Sequence, residues 1–74
     1  MGTFDPILSG ERVRKLRKAR GLSQAKLAQA IGVWPFTVFK YEKGDFAPRI
    51  EQLVSLTRVL GVSADFLLFG SEAA

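Results

Sequence analysis

The sequence predicts an all-α fold, a compact domain of five short helices. Three observations carry that reading. Apolar residues recur at spacings of three and four, glycines stand where the periodic stretches stop, and capping or helix-starting residues precede the next ones. No segment sustains the alternation that a half-buried strand requires. At 74 residues the chain is one domain, near the lower limit for folding without a covalent or metal staple.

Each element has its own local cause. Ser9 can cap a first helix from about Gly10 to Arg20, with Gly21 as its stop and Val13 and Leu16 facing inward. Residues 1–8 are then an N-terminal arm. Ser23 can cap a second helix from Gln24 to about Ala30, where Leu27, Ala28 and Ile31 form one apolar stripe. Gly32 supplies the sharp turn that follows, since glycine adopts a positive φ at little steric cost. Pro35 suits the first position of a third helix, where a missing N–H costs nothing. That helix runs to Glu42 or Lys43 and stops at Gly44, with Val38 and Tyr41 directed to the core. After a loop at Asp45–Ala47, Pro48 opens a fourth helix with the stripe Ile50, Leu53, Leu56, Thr57 and Leu60, ended by Gly61. Ser63 caps a last short helix whose Phe66 and Leu67 point inward. The folded domain is expected to span 9–70, with a helix–turn–helix unit at about 23–43 and a frayed tail at 71–74.

Composition excludes several functions. Without Cys or His there is no disulfide, no usual zinc set, no thiol nucleophile and no imidazole acid–base chemistry. The acids Asp5, Glu11, Glu42, Asp45, Glu51, Asp65 and Glu72 form no recognisable catalytic pair. No enzyme activity, cofactor or metal is therefore expected. No apolar run approaches the ~18–20 residues of a membrane span, and the N-terminus lacks a basic-then-apolar leader pattern. A cytoplasmic protein with no membrane partner is expected. The net charge of +4 is unevenly placed: residues 11–20 carry six cations and one anion, a net +5, against −1 for the rest. A concentrated basic segment suits a polyanion, although a solvated helix face is the commoner reason for one.

Leu22 to Gly44 carries the function. Two short helices joined by a tight turn let the second enter a major groove about 12 Å wide while the first braces it from behind. Ala28 is small where the two would approach, and Val33 and Val38 would pin the second helix to the core. With Leu16-Arg17, Gly21-Leu22-Ser23-Gln24, Leu27-Ala28, Ile31-Gly32-Val33, Val38, Tyr41-Glu42-Lys43-Gly44, Pro48, Leu60-Gly61-Val62-Ser63 and Phe66-Leu67, residues 12–70 resemble the lambda-repressor-like, Cro/CI-type (Xre family) helix-turn-helix domain. No one of these residues is specific; their joint order and spacing is.

The resemblance implies a sequence-specific regulator of double-stranded DNA, a repressor acting as a homodimer. It implies that Arg17 pairs with Glu42 as a brace between the first and third helices. Gln24, at the start of the second helix, is the implied phosphate contact, where free N–H groups and the helix dipole attract an anion. Ser23, Lys43 and Arg49 are further backbone-contact candidates. Base readout falls to Trp34, Phe36, Thr37 and Lys40, and here the chain departs from the family, whose members usually carry polar residues at such positions. Lys40 can donate to guanine O6 or N7, while Trp34 and Phe36 can pack on thymine methyls. Phe39, at a usually polar position, is read as filling a gap near the fourth helix or the 45–47 loop. Leu68 and Phe69 look superfluous to the core and form a candidate dimer seam. An exposed aromatic face of Trp34, Phe36 and Phe39 would also suit a protein partner, so a protein-interaction module on the same fold is the competing reading.

Overall fold

A computed structural model describes residues 3–71, and residues 72–74 of the expected tail lie outside them. The order is α1 (Pro6–Ala19), α2 (Gln24–Ile31), α3 (Pro35–Lys43), α4 (Ile50–Leu60) and α5 (Ala64–Phe69). Among the described residues there is no strand.

The start of α1 differs from the sequence reading. Asp5, not Ser9, is the cap, its carboxylate accepting from the N–H groups of Ile7 (2.9 Å) and Leu8 (3.3 Å), with Pro6 in the first turn. Residues 6–8, read as arm, are helical. Ser9 is buried instead and donates its hydroxyl to the Leu67 carbonyl at 2.8 Å. Asp5-Pro6 starts the helix a turn earlier because the carboxylate satisfies two of its unpaired N–H groups and Pro6 has none to satisfy.

Leu27, Ala28, Val38, Leu56, Leu60 and Leu67 are fully buried, with Val13, Ile31 and Tyr41 nearly so. Leu16, Leu22, Val33, Leu53 and Val62 pack around that centre half-buried. Ile50 does not join its stripe and is 76 % exposed, because α4 begins at Ile50 itself and Arg49 takes the cap position. The turn between α2 and α3 closes on Gly32 at φ 74°, a left-handed conformation that would strain other residues.

Arg12 of α1 and Arg20, which caps its C-terminus, hold the far ends of other helices. Arg20 donates to the Leu60 carbonyl at 2.7 Å and Arg12 to the Leu67 carbonyl at 3.2 Å. The last carbonyls of a helix lack intrahelical partners and carry its negative dipole end, so a guanidinium there is doubly suited.

Tyr41 gives the fold a pH dependence. Its ring is buried, with the hydroxyl 3.5 Å from Gln52 Oε1. Burial pushes the phenol above its ordinary value, and the nearby Arg49 charge opposes this in part. A pKa raised by folding means the unfolded chain ionises first. The contribution is present below about pH 10 and is lost as pH rises through the folded value. Denaturant midpoints measured from pH 8 to 11 are expected to fall more steeply for the native chain than for Tyr41→Phe.

Candidate nucleic-acid interface

The α1–α3 junction sets the position of α3. Arg17 places Nε 2.6 Å from Glu42 Oε2 and Nη2 3.0 Å from Glu42 Oε1, and its Nη1 donates to the Leu22 carbonyl at 2.8 Å. Both side chains are buried, at 9 % and 4 % exposure. The hydrogen bond to Glu42 raises the guanidinium above its already high ordinary value, with burial working against it and the carboxylate charge reinforcing it. The Arg17 guanidinium stays charged at any ordinary pH. It ties α1, the α1–α2 turn and the last turn of α3 into one joint.

Gln24 enters the same joint. Its side-chain amide donates to Glu42 Oε1 at 3.1 Å. One of its two amide hydrogens is therefore committed inside the protein, while its backbone N–H, at the first position of α2, has no intrahelical acceptor. Ser23 caps α2 by accepting from the Lys26 N–H at 3.0 Å. Arg49 is exposed at the start of α4, and its backbone N–H donates to Gln52 Oε1 at 3.0 Å.

The outer face of α3 is aromatic and charged at once. Trp34, the N-cap of α3, is 80 % exposed and Phe36 60 %. Thr37 and Lys40 are half-buried on the same short helix. Lys40 Nζ sits 5.2 Å from the centre of the Phe36 ring and 3.2 Å from Asp45 Oδ2. Lys43 Nζ sits 5.3 Å from the Phe39 ring and 3.8 Å from the same carboxylate oxygen. The two rings lie 6.2 Å apart, tilted by 37°. Phe39 thus fills no gap near α4 or the loop; it is 41 % exposed and extends the Phe36 surface. Each ion pair is worth ~0–1 kcal/mol in so exposed a setting. Together with the ring contacts, they set where the lysines rest.

The basic first helix divides in two. Arg12, Arg17 and Arg20 are engaged inside the protein. Arg14, Lys15 and Lys18 are exposed. Arg14 and Lys18 line a groove with Gln24, Phe39 and Lys43, next to the Arg17–Glu42 pair. Sequence reasoning did not single out these two cations. Their spacing of four, on the side of α1 that faces away from Val13, is the signal that marks them. It also missed Asp45, because nothing in the linear pattern shows a loop carboxylate returning to two lysines of the preceding helix. Leu68 is half-buried and Phe69 37 % exposed at the end of α5.

A short helix held from behind by α2, with its outer face clear and cations grouped at the N-terminus of its brace, defines a lambda-repressor-like helix-turn-helix domain. Comparison with known proteins agrees with that class. The family model described as helix-turn-helix matches residues 13–67, and the chain belongs to this Cro/CI-type family. It is 42 % identical over 64 residues to the SPbeta prophage-derived HTH-type transcriptional regulator YonR of Bacillus subtilis, covering 86 % of this chain and 59 % of that protein. The P22 c2 repressor of Salmonella phage P22, solved in complex with synthetic operator 9T, superposes with a TM-score of 0.83 at 35 % identity over 85 % of this chain and 96 % of that one. SinR, described as a master regulator for biofilm formation and solved in complex with DNA, superposes with a TM-score of 0.73 at 32 % identity, covering 80 % of this chain and 95 % of that one. In a complex of SinR with SinI protein the TM-score is also 0.73, at 33 % identity, with 80 % of this chain and 58 % of that chain covered. The chain spans 59 % of YonR and 47 % of DicA of Escherichia coli, so these curated relatives are longer than the region matched.

Proposed function

We propose that this chain binds double-stranded DNA as a transcriptional regulator, a repressor, laying α3 in the major groove. It acts in the cytoplasm as a homodimer on a two-fold operator and catalyses no reaction. The exposed outer face of α3, fixed by the buried Arg17–Glu42 joint and flanked by the N-terminus of α2, is the observation that carries this reading. The P22 c2 and SinR complexes with DNA support it. In this reading Ser23, Gln24, Lys43 and Arg49 meet the DNA backbone, joined by Arg14 and Lys18 from the groove beside Gln24. These contacts set affinity and register. Trp34, Phe36, Thr37 and Lys40 meet the base edges. A monomer contacts too few bases for useful selectivity, so a second copy is needed, with Leu68 and Phe69 as its seam.

Titration against genomic DNA fragments tests this directly. Binding is expected at low salt and should weaken steeply as salt rises, because phosphate contacts release counterions; absence of binding at low salt contradicts the reading. Lys40→Ala should cost about 1–3 kcal/mol at one base position and relax selection there. Gln24→Ala should weaken all sequences alike. The reverse pattern would overturn the two roles.

A second reading keeps the fold and gives the aromatic face to a protein partner. The 80 % exposure of Trp34 beside Phe36 and Phe39 favours it, and SinR, part of whose chain is similar to this one, forms a complex with SinI protein. If Trp34→Ala abolishes capture of a partner while DNA affinity is unchanged, this second reading holds.

A further inference from the structure

We infer that Asp45 is a specificity-determining residue: a built-in anion that keeps Lys40 from serving as a phosphate contact, so that DNA of arbitrary sequence binds less well relative to the operator. The inference rests on the DNA-binding reading above and deepens it. Its basis is one oxygen shared by two cations. Asp45 Oδ2 lies 3.2 Å from Lys40 Nζ and 3.8 Å from Lys43 Nζ. The backbone puts it there. Gly44, at φ 85°, donates its N–H to the Tyr41 carbonyl at 3.1 Å, and Asp45 donates its own to the Lys40 carbonyl at 3.0 Å. Such a pair of bonds brings the residue after the glycine back against the last turn of the helix, where the contact it makes is commonly apolar. Here the two residues that meet are Asp45 and Lys40, and the contact is an ion pair.

Stability does not account for the carboxylate. An acid just past the C-terminus of a helix meets the negative end of its dipole, and ion pairs this exposed add little to folding. The consequence for DNA is more specific. A phosphate held by Lys43 would stand within about 7 Å of Asp45, inside the ~10 Å screening length of 0.1 M salt. The two lysines and Asp45 together carry +1 instead of +2. Phosphate responds to that net charge. A base edge needs only a donor, and an ammonium has three N–H groups, so Lys40 can keep Asp45 and still donate to a base. Binding to unrelated DNA is almost entirely phosphate contact. Asp45 therefore denies a cation to unrelated DNA and denies the operator nothing.

Asp45→Asn keeps the shape of the side chain and removes its charge. The test measures affinity from about 50 to 200 mM salt for a duplex enriched by the protein from a randomised pool and for an unrelated duplex of equal length. For the unrelated duplex, the slope of log K against log salt should steepen by about 0.9, one further phosphate neutralised, and affinity at about 0.1 M salt should rise roughly eightfold. For the enriched duplex, slope and affinity should stay as in the native protein, so selectivity falls by the same factor. Asp65→Asn makes the same change of charge at an exposed position of α5, which packs on α1 and α4, and should move neither slope. An unchanged slope for the unrelated duplex with Asp45→Asn overturns the inference, as does equal steepening for both duplexes or the same steepening with Asp65→Asn. A native protein that binds neither duplex at low salt is a different result, which removes the DNA-binding reading and this inference with it.

Discussion

Glu42→Ala is expected to lower stability by about 3 kcal/mol, the usual cost of leaving one member of a buried ion pair alone. For a domain of this size the melting temperature should fall by roughly 15 °C. The reason is geometric as well as electrostatic. Glu42 accepts from Arg17 twice and from Gln24 once, so its loss strands a guanidinium and an amide together. Arg17 keeps its bond to the Leu22 carbonyl, which holds the charge in place but does not neutralise it. Replacing both partners by Met should cost less than Glu42→Ala, because a buried apolar pair leaves no charge unmatched. Thermal denaturation of the three proteins checks this; a drop of under about 3 °C for Glu42→Ala would show that the joint carries little. DNA affinity should fall along with stability, since the same joint orients α3 and Gln24.

Gly10→Ala is expected to destabilise, opposite in sign to the usual effect. In an open helix this substitution gains about 1 kcal/mol. Here a Cβ would run into the Tyr41 carbonyl oxygen and lie 2.8 Å from that of Glu42. Both contacts are backbone, so α1 must move away from the last turn of α3. A loss of about 2 kcal/mol or more follows from such overpacking. Chemical denaturation is the check, and a rise in midpoint would contradict the close approach of the two helices.

Gly10 illustrates what the linear pattern leaves hidden. The order of helices, the turn at Gly32 and the central apolar residues were legible because each depends on local spacing or a local conformational demand. The 3.6-residue period places Leu27, Ala28 and Ile31 on one face without knowledge of the partner. A close contact between helices is not local, and a glycine inside a helix looks like a weak position until the neighbouring backbone is placed. The same holds for Ser9, whose hydroxyl meets a carbonyl 58 residues away. The sequence reading puts the cap of α1 at Ser9, and the structure places that cap at Asp5. The charges divide likewise. Six cations in residues 11–20 read as one basic segment, yet Arg12 and Arg20 serve the C-terminal ends of α5 and α4, and Arg17 serves Glu42.

The aromatic residues of α3 show the limit from the other side. Their polarity was plain in the sequence, but not whether they were buried. A Phe at position 36 or 39 could have completed the core. Instead Val38 and Tyr41 occupy the inward face, and the helical period turns Phe36, Phe39 and Lys40 outward together. The Asp45 contact then gathers both lysines over the rings. That arrangement depends on how the 44–49 loop leaves α3, which spacing alone does not determine.

The most direct test of α3 as the DNA-facing element is an amide chemical-shift titration of the isotope-labelled protein with an enriched duplex. The largest changes should fall at residues 23–26 and 34–43, saturate with one binding curve, and diminish as salt is raised. Changes centred instead on the α4 surface around Val54 and Arg58, or none at all at saturating duplex, would contradict it.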